Sequence, residues 1–473
     1  MPRKASPACS IAFVSVFLAA LPVFAQNDRA QDDAPNDSGL TQKLSQKIEE
    51  SVKQSGVASV SVAVVKDGKL VFSQGFGKAS VDPDRPATVD TRYAVGSISK
   101  EFTAAALLYA QEQGKLSLED KVAKYFPDLT RAHDITIRQL LSHVSGYEDY
   151  APQDYIIPEW TAPTSAGAVV DRWAGKPLNF DPGTDWQYSN TNFVLAAMIF
   201  EKATGQKLLD FLQQKIFGPL EMTSAGYCNT RSPNDASPYT RFGGGPPRLT
   251  PREAAGWYFG AAELCMTASD LARWDMAFLS KKILSSRSYE EFTREAWLAN
   301  GNATHYALGL SLGEFNRIPT VYHGGEVSGF LASNVMFPTR HSAVIVLSNE
   351  DGINFITPLS LQISAMVLLP DDPPALEKDT QQVRDILTGL SAGKLNRSLF
   401  TDNANSYFRT VAMEDLRESL SALGELKSVT RTSESSRGGM IHRSYRAEYA
   451  KRAVILNIYV MPDGRYEQFI VEE

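Results

Sequence analysis

Cysteine is scarce in this chain, with three in 473 residues. Cys9 lies ahead of an apolar N-terminal stretch, which leaves Cys228 and Cys265, and spacing alone does not decide between a disulfide and two buried thiols. The six histidines (133, 143, 305, 323, 341 and 442) include no His-x-x-x-His pair or comparable ligand spacing, so metal-assisted hydrolysis has no visible ligand set. Positive charge is not in excess either. The net charge is -7, without a basic block or aromatic-basic interleaving, and this excludes a nucleic-acid partner. Gly243 to Gly245 lack the following lysine and helix of a phosphate-cradling loop. Apart from Ile11 to Phe24 behind Arg3 and Lys4, no N-terminal stretch suggests a membrane segment. That one is too short for a comfortable span and ends in Val23-Phe24-Ala25, so it reads as a cleavable secretory signal over residues 1–25. No stable membrane insertion is expected after cleavage, and a periplasmic or secreted location follows.

With 43% hydrophobic and 21% charged residues, the chain is an ordinary globular one, large enough for more than one domain. Residues 26–37 are polar and acidic and read as a disordered leader. Leu44, Ile48 and Val52, spaced by four, predict a helix that Gly56 stops. Ala58–Val65 and Lys69–Phe76 are β-rich runs joined at Asp67-Gly68, a hairpin signal. Helical patterns follow over Glu119–Phe126, Thr136–Leu141 and Asn190–Ala203, and a Pro/Gly-rich loop between Cys228 and Ala255 is a candidate lid. Strand patterns return at Tyr306–Leu312, Thr320–His323, Ser333–Phe337 and Ala343–Ser348, followed by an apolar helix over Phe355–Leu369. The expected fold class is α+β: an antiparallel sheet, flanked by helices, with a helical insertion. The principal domain then spans 38–369, a linker 370–379, and a small α+β accessory domain 380–473.

The chemistry is expected at Gly96-Ser97-Ile98-Ser99-Lys100, at the start of a helix-forming run. Residues at i and i+3 share a helical face, so the Lys100 amine can reach Ser97 Oγ and take its proton. Ser-x-x-Lys alone is a weak signal, since Ser391-Ala392-Gly393-Lys394 repeats it in what reads as a loop. Two further stretches strengthen it. Tyr188-Ser189-Asn190 follows a Pro-Gly turn just before a helix, and a phenol near an ammonium is expected to have a lowered pKa and to share the proton handling. His323-Gly324-Gly325-Glu326 enters from a strand, where paired glycines allow close backbone approach and a strand-edge N–H can supply an oxyanion donor beside that of Ser97. A competing Gly-x-Ser-x-Gly at Gly309–Gly313 lacks the elbow and helix of an α/β-hydrolase and reads as a strand leading to a hairpin turn.

Ser97-x-x-Lys100, Tyr188-x-Asn190 and His323-Gly324-Gly325, in that order, resemble the three active-site motifs of the serine β-lactamase and penicillin-binding-protein superfamily. The likeness is closer to its class C-like branch, which includes D-aminopeptidases, carboxypeptidases and class VIII-type esterases, and it spans roughly residues 40 to 368. The resemblance implies a serine hydrolase working through an acyl-enzyme on amide or ester bonds of a small-molecule or peptide substrate, with no cofactor and no metal. It makes Ser97 the nucleophile, with Lys100 and Tyr188 activating it and protonating the leaving group. Asn190 would hold the substrate's acyl amide, and the Ser97 and Glu326 amides would form the oxyanion hole. His323 stands where many penicillin-recognising members carry lysine, and Glu326 adds a carboxyl group that disfavours anionic substrates if it points inward. The alternative is a catalytically idle module that binds peptidoglycan fragments or a protein partner.

Overall fold

Alternation of apolar residues builds a seven-stranded sheet in this computed structural model, which describes residues 38–243, 245–353, 355–369 and 373–472. The sheet comprises β1 (Ser59–Lys66), β2 (Lys69–Ser80), β3 (Arg85–Pro86), β4 (Ser311–Phe315), β5 (Ile318–Val327), β6 (Phe330–Phe337) and β7 (Ser342–Ser348). They lie in the order β3-β2-β1-β7-β6-β5-β4, with every pairing antiparallel. The expected first hairpin forms at Asp67 and Gly68, both at positive φ (51° and 76°) as a tight primed turn requires. Asn316 and Arg317, at 47° and 63°, turn β4 into β5.

In β1 and β7 the side chains of Val60, Val62, Val64, Val344 and Val346 share a core with α1 (Ser38–Ser55) through Leu44 and Ile48. Leu359 and Ile363 of a later helix join the same core. The intervening Ala63, Ala343, Ile345 and Leu347 face the larger core on the other side, with Phe102 of α2 (Ser99–Glu112) and Trp274 of α4 (Ala268–Leu279). One period-2 pattern thus covers both faces of the sheet with helices. The chain between β3 and β4 is the helical insertion, and it contains α2, α3 (Asn190–Thr204) and α4. The later helix is α5 (Ile356–Leu368).

Beyond it, α6 (Pro373–Ser391) and α7 (Thr410–Ala422) accompany a second antiparallel sheet, β8 (Leu426–Arg437), β9 (Met440–Tyr449), β10 (Ala453–Val460) and β11 (Tyr466–Glu472), in sequential order. It has its own core of Leu387, Phe400, Tyr445, Leu456, Ile458 and Phe469. Arg317, at the β4–β5 turn, lies 3.7 Å from Glu434 of β8.

Some expectations change. Residues 119–126 form only a short turn at Val122–Lys124. The Val122 and Ala123 amides donate to the Ile135 and Ala132 carbonyls instead of continuing a helix. The strand expected from Tyr306 starts at Ser311, because Gly309 turns the chain with φ 71° and donates to Leu141 O. Residues 373–379, expected as linker, are the first two turns of α6. The signal and leader expected over 1–37 and the first linker residues 370–372 lie outside the described residues. Among the described residues, no helix is long and apolar enough to cross a membrane.

Candidate active site

Ser97 sits in a single 3-10 turn, Gly96–Ile98, that runs directly into α2. Two glycines make this position possible. Gly96 has φ 52°, and a Cβ there would come within 2.6 Å of Glu326 N; a Cβ on Gly325 would come within 1.9 Å of Val95 O. The turn carrying Ser97 and the end of β5 therefore touch backbone to backbone, which a side chain on either glycine would prevent. Ser99 Oγ donates to Gly96 O at 2.7 Å and accepts from Leu264 N at 3.1 Å, fastening the turn to the strand Leu264–Met266. Cys265, in that strand, is bonded to Cys228, which settles the pairing left open by spacing.

Lys100 is fully buried, and its amine donates to Ser97 Oγ at 2.9 Å, Asn190 Oδ1 at 2.7 Å and Ala261 O at 3.0 Å. Burial lowers its pKa to about 7, against the opposing pull of the Asp149 carboxylate, which favours the ammonium. Asp149 is the residue the sequence reading missed. It accepts from Asn190 N at 2.9 Å, Asn190 Nδ2 at 3.2 Å and Ala151 N at 3.1 Å, so Asn190 bridges Lys100 and Asp149. Burial pushes the Asp149 carboxyl up despite these donors. The signal was present only as an acidic residue in the loop after Ser145-Gly146, where no spacing rule connects it to Ser97.

The Tyr188 ring lies 4.8 Å from Lys100 Nζ, with Ser97 beside its hydroxyl. The expectation of an acidified phenol is overturned. Burial pushes the Tyr188 pKa up, Asp149 adds to the rise, and only Ser97 opposes it. Tyr188 is therefore a neutral O–H donor, and Lys100 is the group whose proton affinity matches neutral pH. The Tyr188 ring packs 4.4 Å from the His143 ring. His143 Nδ1 accepts from Ser189 N at 3.2 Å, which holds the extended segment leading into α3.

His323 is buried on β5. Its Nδ1 lies 2.5 Å from Gly324 O and its Nε2 2.9 Å from Tyr306 Oη. A carbonyl only accepts, so Nδ1 carries the proton and Nε2 accepts from the tyrosine. Burial and the nearby Lys100 lower its pKa to about 4, so His323 is neutral where a cation was in question. Gly324, Gly325 and Glu326 line the cleft with Ser97, Tyr188 and Asn190 in a cavity of about 910 Å³. The structure thus brings together all eight expected site residues. Asn190, expected to hold an acyl amide, has its oxygen on Lys100 and its nitrogen on Asp149. Among the described residues, the candidate lid 228–255 contributes only Glu253, and the cleft is walled instead by residues of Asp149–Tyr155, by Gly352 and Ile353, and by Phe355–Thr357.

The other Ser-x-x-Lys closes α6, with Gly393 at φ 68° and Lys394 N bonded to Gly389 O. Among the described residues no group of three His, Cys, Asp or Glu side chains is arranged to hold a metal ion.

Residues 44–358 match the family model described as Beta-lactamase, two thirds of the chain. The chain belongs to the Beta-lactamase family, within the serine β-lactamase and penicillin-binding-protein superfamily. Among curated relatives, penicillin-binding protein 4* of Bacillus subtilis is 29% identical over 62% of this chain and 68% of its own length. Protein flp of Staphylococcus aureus is 27% identical over 66% of this chain and 64% of its own. The chain thus spans about two thirds of the length of these relatives. The octameric penicillin-binding protein homologue from Pyrococcus abyssi shares the fold at TM-score 0.63 and 20% identity, over 92% of this chain and all of that one. The D-amino acid amidase from Ochrobactrum anthropi SV3 shares it at TM-score 0.61 and 23% identity, over 70% of this chain and 97% of that one.

Proposed function

We propose that this family member is a serine hydrolase that opens amide or ester bonds through an acyl-enzyme. The observation that carries the reading is Ser97 Oγ, hydrogen-bonded to a buried lysine whose pKa burial brings to about 7. In its neutral form Lys100 takes the Ser97 proton as Oγ attacks the acyl carbon. The carbonyl oxygen becomes an oxyanion facing the Ser97 and Glu326 amides, the two backbones that the glycines bring into contact. Collapse of this intermediate breaks the bond to the leaving group. The proton comes from Lys100 by way of Tyr188, whose high pKa makes it a relay that does not itself ionise. Water then attacks the ester on Ser97, and the same groups run in reverse.

Relatives named as a penicillin-binding protein and as a D-amino acid amidase support amide substrates, including D-amino-acid compounds, for this chain. Residues 380–473 act as an accessory domain in this reading. A periplasmic or secreted location is supported by the apolar stretch behind Arg3 and Lys4 and by the Cys228–Cys265 bond, since disulfides persist in oxidising compartments. Incubation with a fluorophosphonate or a fluorescent penicillin, followed by intact mass, should show one adduct, lost in Ser97→Ala. No adduct with either probe and no hydrolysis of p-nitrophenyl esters would favour a binding module instead.

A further inference from the structure

The charged residues lining the cleft around Ser97 are of one sign. Asp149, Asp154, Glu253 and Glu326 line it, and among the described lining residues there is neither lysine nor arginine. Lys100 lies behind this surface, fully buried and committed to three acceptors. Of the four carboxylates, Asp149 is held by Asn190 and Glu253 by Ser328, whose N–H and hydroxyl donate at 3.0 and 2.7 Å. Glu326 and Asp154, by contrast, line the same cleft with no ion-pair partner among the described residues. Solvent reaches Glu326 from the cleft. Even so, partial desolvation, together with the Asp154 and Asp351 carboxylates, pushes its pKa to about 7. Two unpaired carboxyl groups lining one reaction cleft, with the neighbouring His323 neutral and no lysine or arginine among the described lining residues, favour a cation there and oppose an anion.

A different group offers a bound molecule a contact. Trp160 lines the same cleft, is only 2% exposed, and has an indole N–H without a partner. A buried donor of this kind is ordinarily satisfied, and an acceptor on a bound molecule would satisfy it. The aromatic side chains of Tyr155, Trp186 and Tyr258 supply apolar wall around the carboxylates, the setting in which an amine on a short carbon stem binds well.

Resting on the hydrolase reading above, we propose that the substrate is an ester or amide carrying a protonated amine, which Glu326 and Asp154 hold inside the cleft, and that carboxylate-bearing substrates are rejected there. The cleft with its nucleophile makes the site; the two carboxylates set its charge preference.

The test uses two substrate series on the full chain. In one, p-nitrophenyl esters keep the leaving group and vary the acyl part as ammonium, neutral isostere or carboxylate. In the other, a fixed acyl group is joined to ammonium-bearing, neutral or carboxylate-bearing amines. In at least one series kcat/KM should fall by about tenfold from ammonium to neutral, and again from neutral to carboxylate, roughly the discrimination of one desolvated charge contact. In that series the ammonium-to-neutral ratio should shrink to about threefold or less in Asp154→Asn, and further in Asp154→Asn/Glu326→Gln. Each ratio is taken within one variant, so a general loss of rate cancels. Equal rates across both series, a preference for the carboxylate, or a ratio unmoved by the variants would overturn the proposal while leaving the hydrolase reading intact. No turnover of any member, or turnover that survives Ser97→Ala, would overturn both.

Discussion

Lys100 and Glu101 are consecutive residues of α2, both fully buried and both ionisable, yet their surroundings are opposite in kind. Lys100 meets Asp149 through Asn190, so the proton has two owners of opposite charge type and the group as a whole can stay neutral. Glu101 meets a second acid. Asn334 Nδ2 donates to Glu101 at 3.3 Å and to Asp275 Oδ1 at 3.0 Å, and Trp274 Nε1 donates to Glu101 at 2.8 Å. Burial pushes Glu101 up to about 7 and Asp275 well above the carboxylate range. The same desolvation therefore yields a base ready to work on one side of the helix and stored protons on the other. The front cluster adjoins a cleft and a nucleophile; the back cluster adjoins only core. A shifted pKa marks a functional group only where geometry gives it a reacting partner.

The largest effect that would break this contrast is loss of the nucleophile or its base. Ser97→Ala should lower kcat by at least about 10³-fold, and Lys100→Ala by a similar factor with the fold retained, as far-UV circular dichroism would show. Because the two act as a unit, the double variant should be little worse than either single one. Additive losses would separate Lys100 from Ser97.

Asp149→Asn sharpens the comparison by making the front cluster singly charged. Asp149 favours the protonated form of Lys100, so its removal should lower the Lys100 pKa further. Native kcat/KM should rise with pH through about 7 as Lys100 becomes neutral, and in the variant this rise should move to lower pH. The maximum should fall about tenfold, because the variant leaves Asn190 one neutral amide oxygen in place of a charged carboxylate and sets an NH2 donor where the second oxygen stood. Glu326 also titrates near 7, so the profile is read with a neutral substrate and repeated in Glu326→Gln, where the limb belonging to Lys100 should remain. A limb that stays put in Asp149→Asn would disconnect the two groups.

Much of this contrast was legible in the chain, but unevenly. The Ser97–Lys100 pair is local, set by helical spacing, and it survives into the structure as a 2.9 Å hydrogen bond. The hairpins at Asp67-Gly68 and Asn316-Arg317 are equally local, and Asp67, Gly68 and Asn316 are residue types that tolerate positive φ. Asp149, Glu101 and Asp275 were not legible, because their roles depend on which carboxyl group the fold places beside which donor. The direction of the Tyr188 shift failed for the same reason. Proximity to an ammonium can be read from motif order, whereas desolvation of the phenol cannot, and desolvation was the larger effect.

The Cys228–Cys265 bond ties the strand at Leu264–Met266 to the residue just after the strand Gly226–Tyr227 that pairs with it. Ala261 O, just before the first of these strands, is one of the three acceptors of Lys100. Closing a loop of 37 residues is worth about 4 kcal/mol in the chain-entropy account. Cys228→Ser/Cys265→Ser should lower the unfolding midpoint by several degrees and kcat by a few-fold, with KM nearly unchanged. Stability lost with kcat unaltered would mean that the bond does not help place Lys100.

The smallest effect tests the back of the helix. Glu101 carries a raised pKa in the folded chain, about 7 against an ordinary 4.5. Below pH 4.5 the folded and unfolded chains both hold this proton and the group makes no difference. As pH rises from 4.5 to about 7 the unfolded chain releases it and the folded chain retains it, so stability falls across that window by on the order of 3 kcal/mol and then levels off. Glu101→Gln removes the titration while keeping an oxygen for Trp274 Nε1. The variant should therefore gain about 1–3 kcal/mol over the native chain in urea unfolding at pH 8 and gain nothing at pH 4.5, with kcat within about twofold at both. A stability difference that is the same at the two pH values would show that Glu101 is not carrying its proton into the native state. The two sides of α2 would then differ in partner only, and not in protonation.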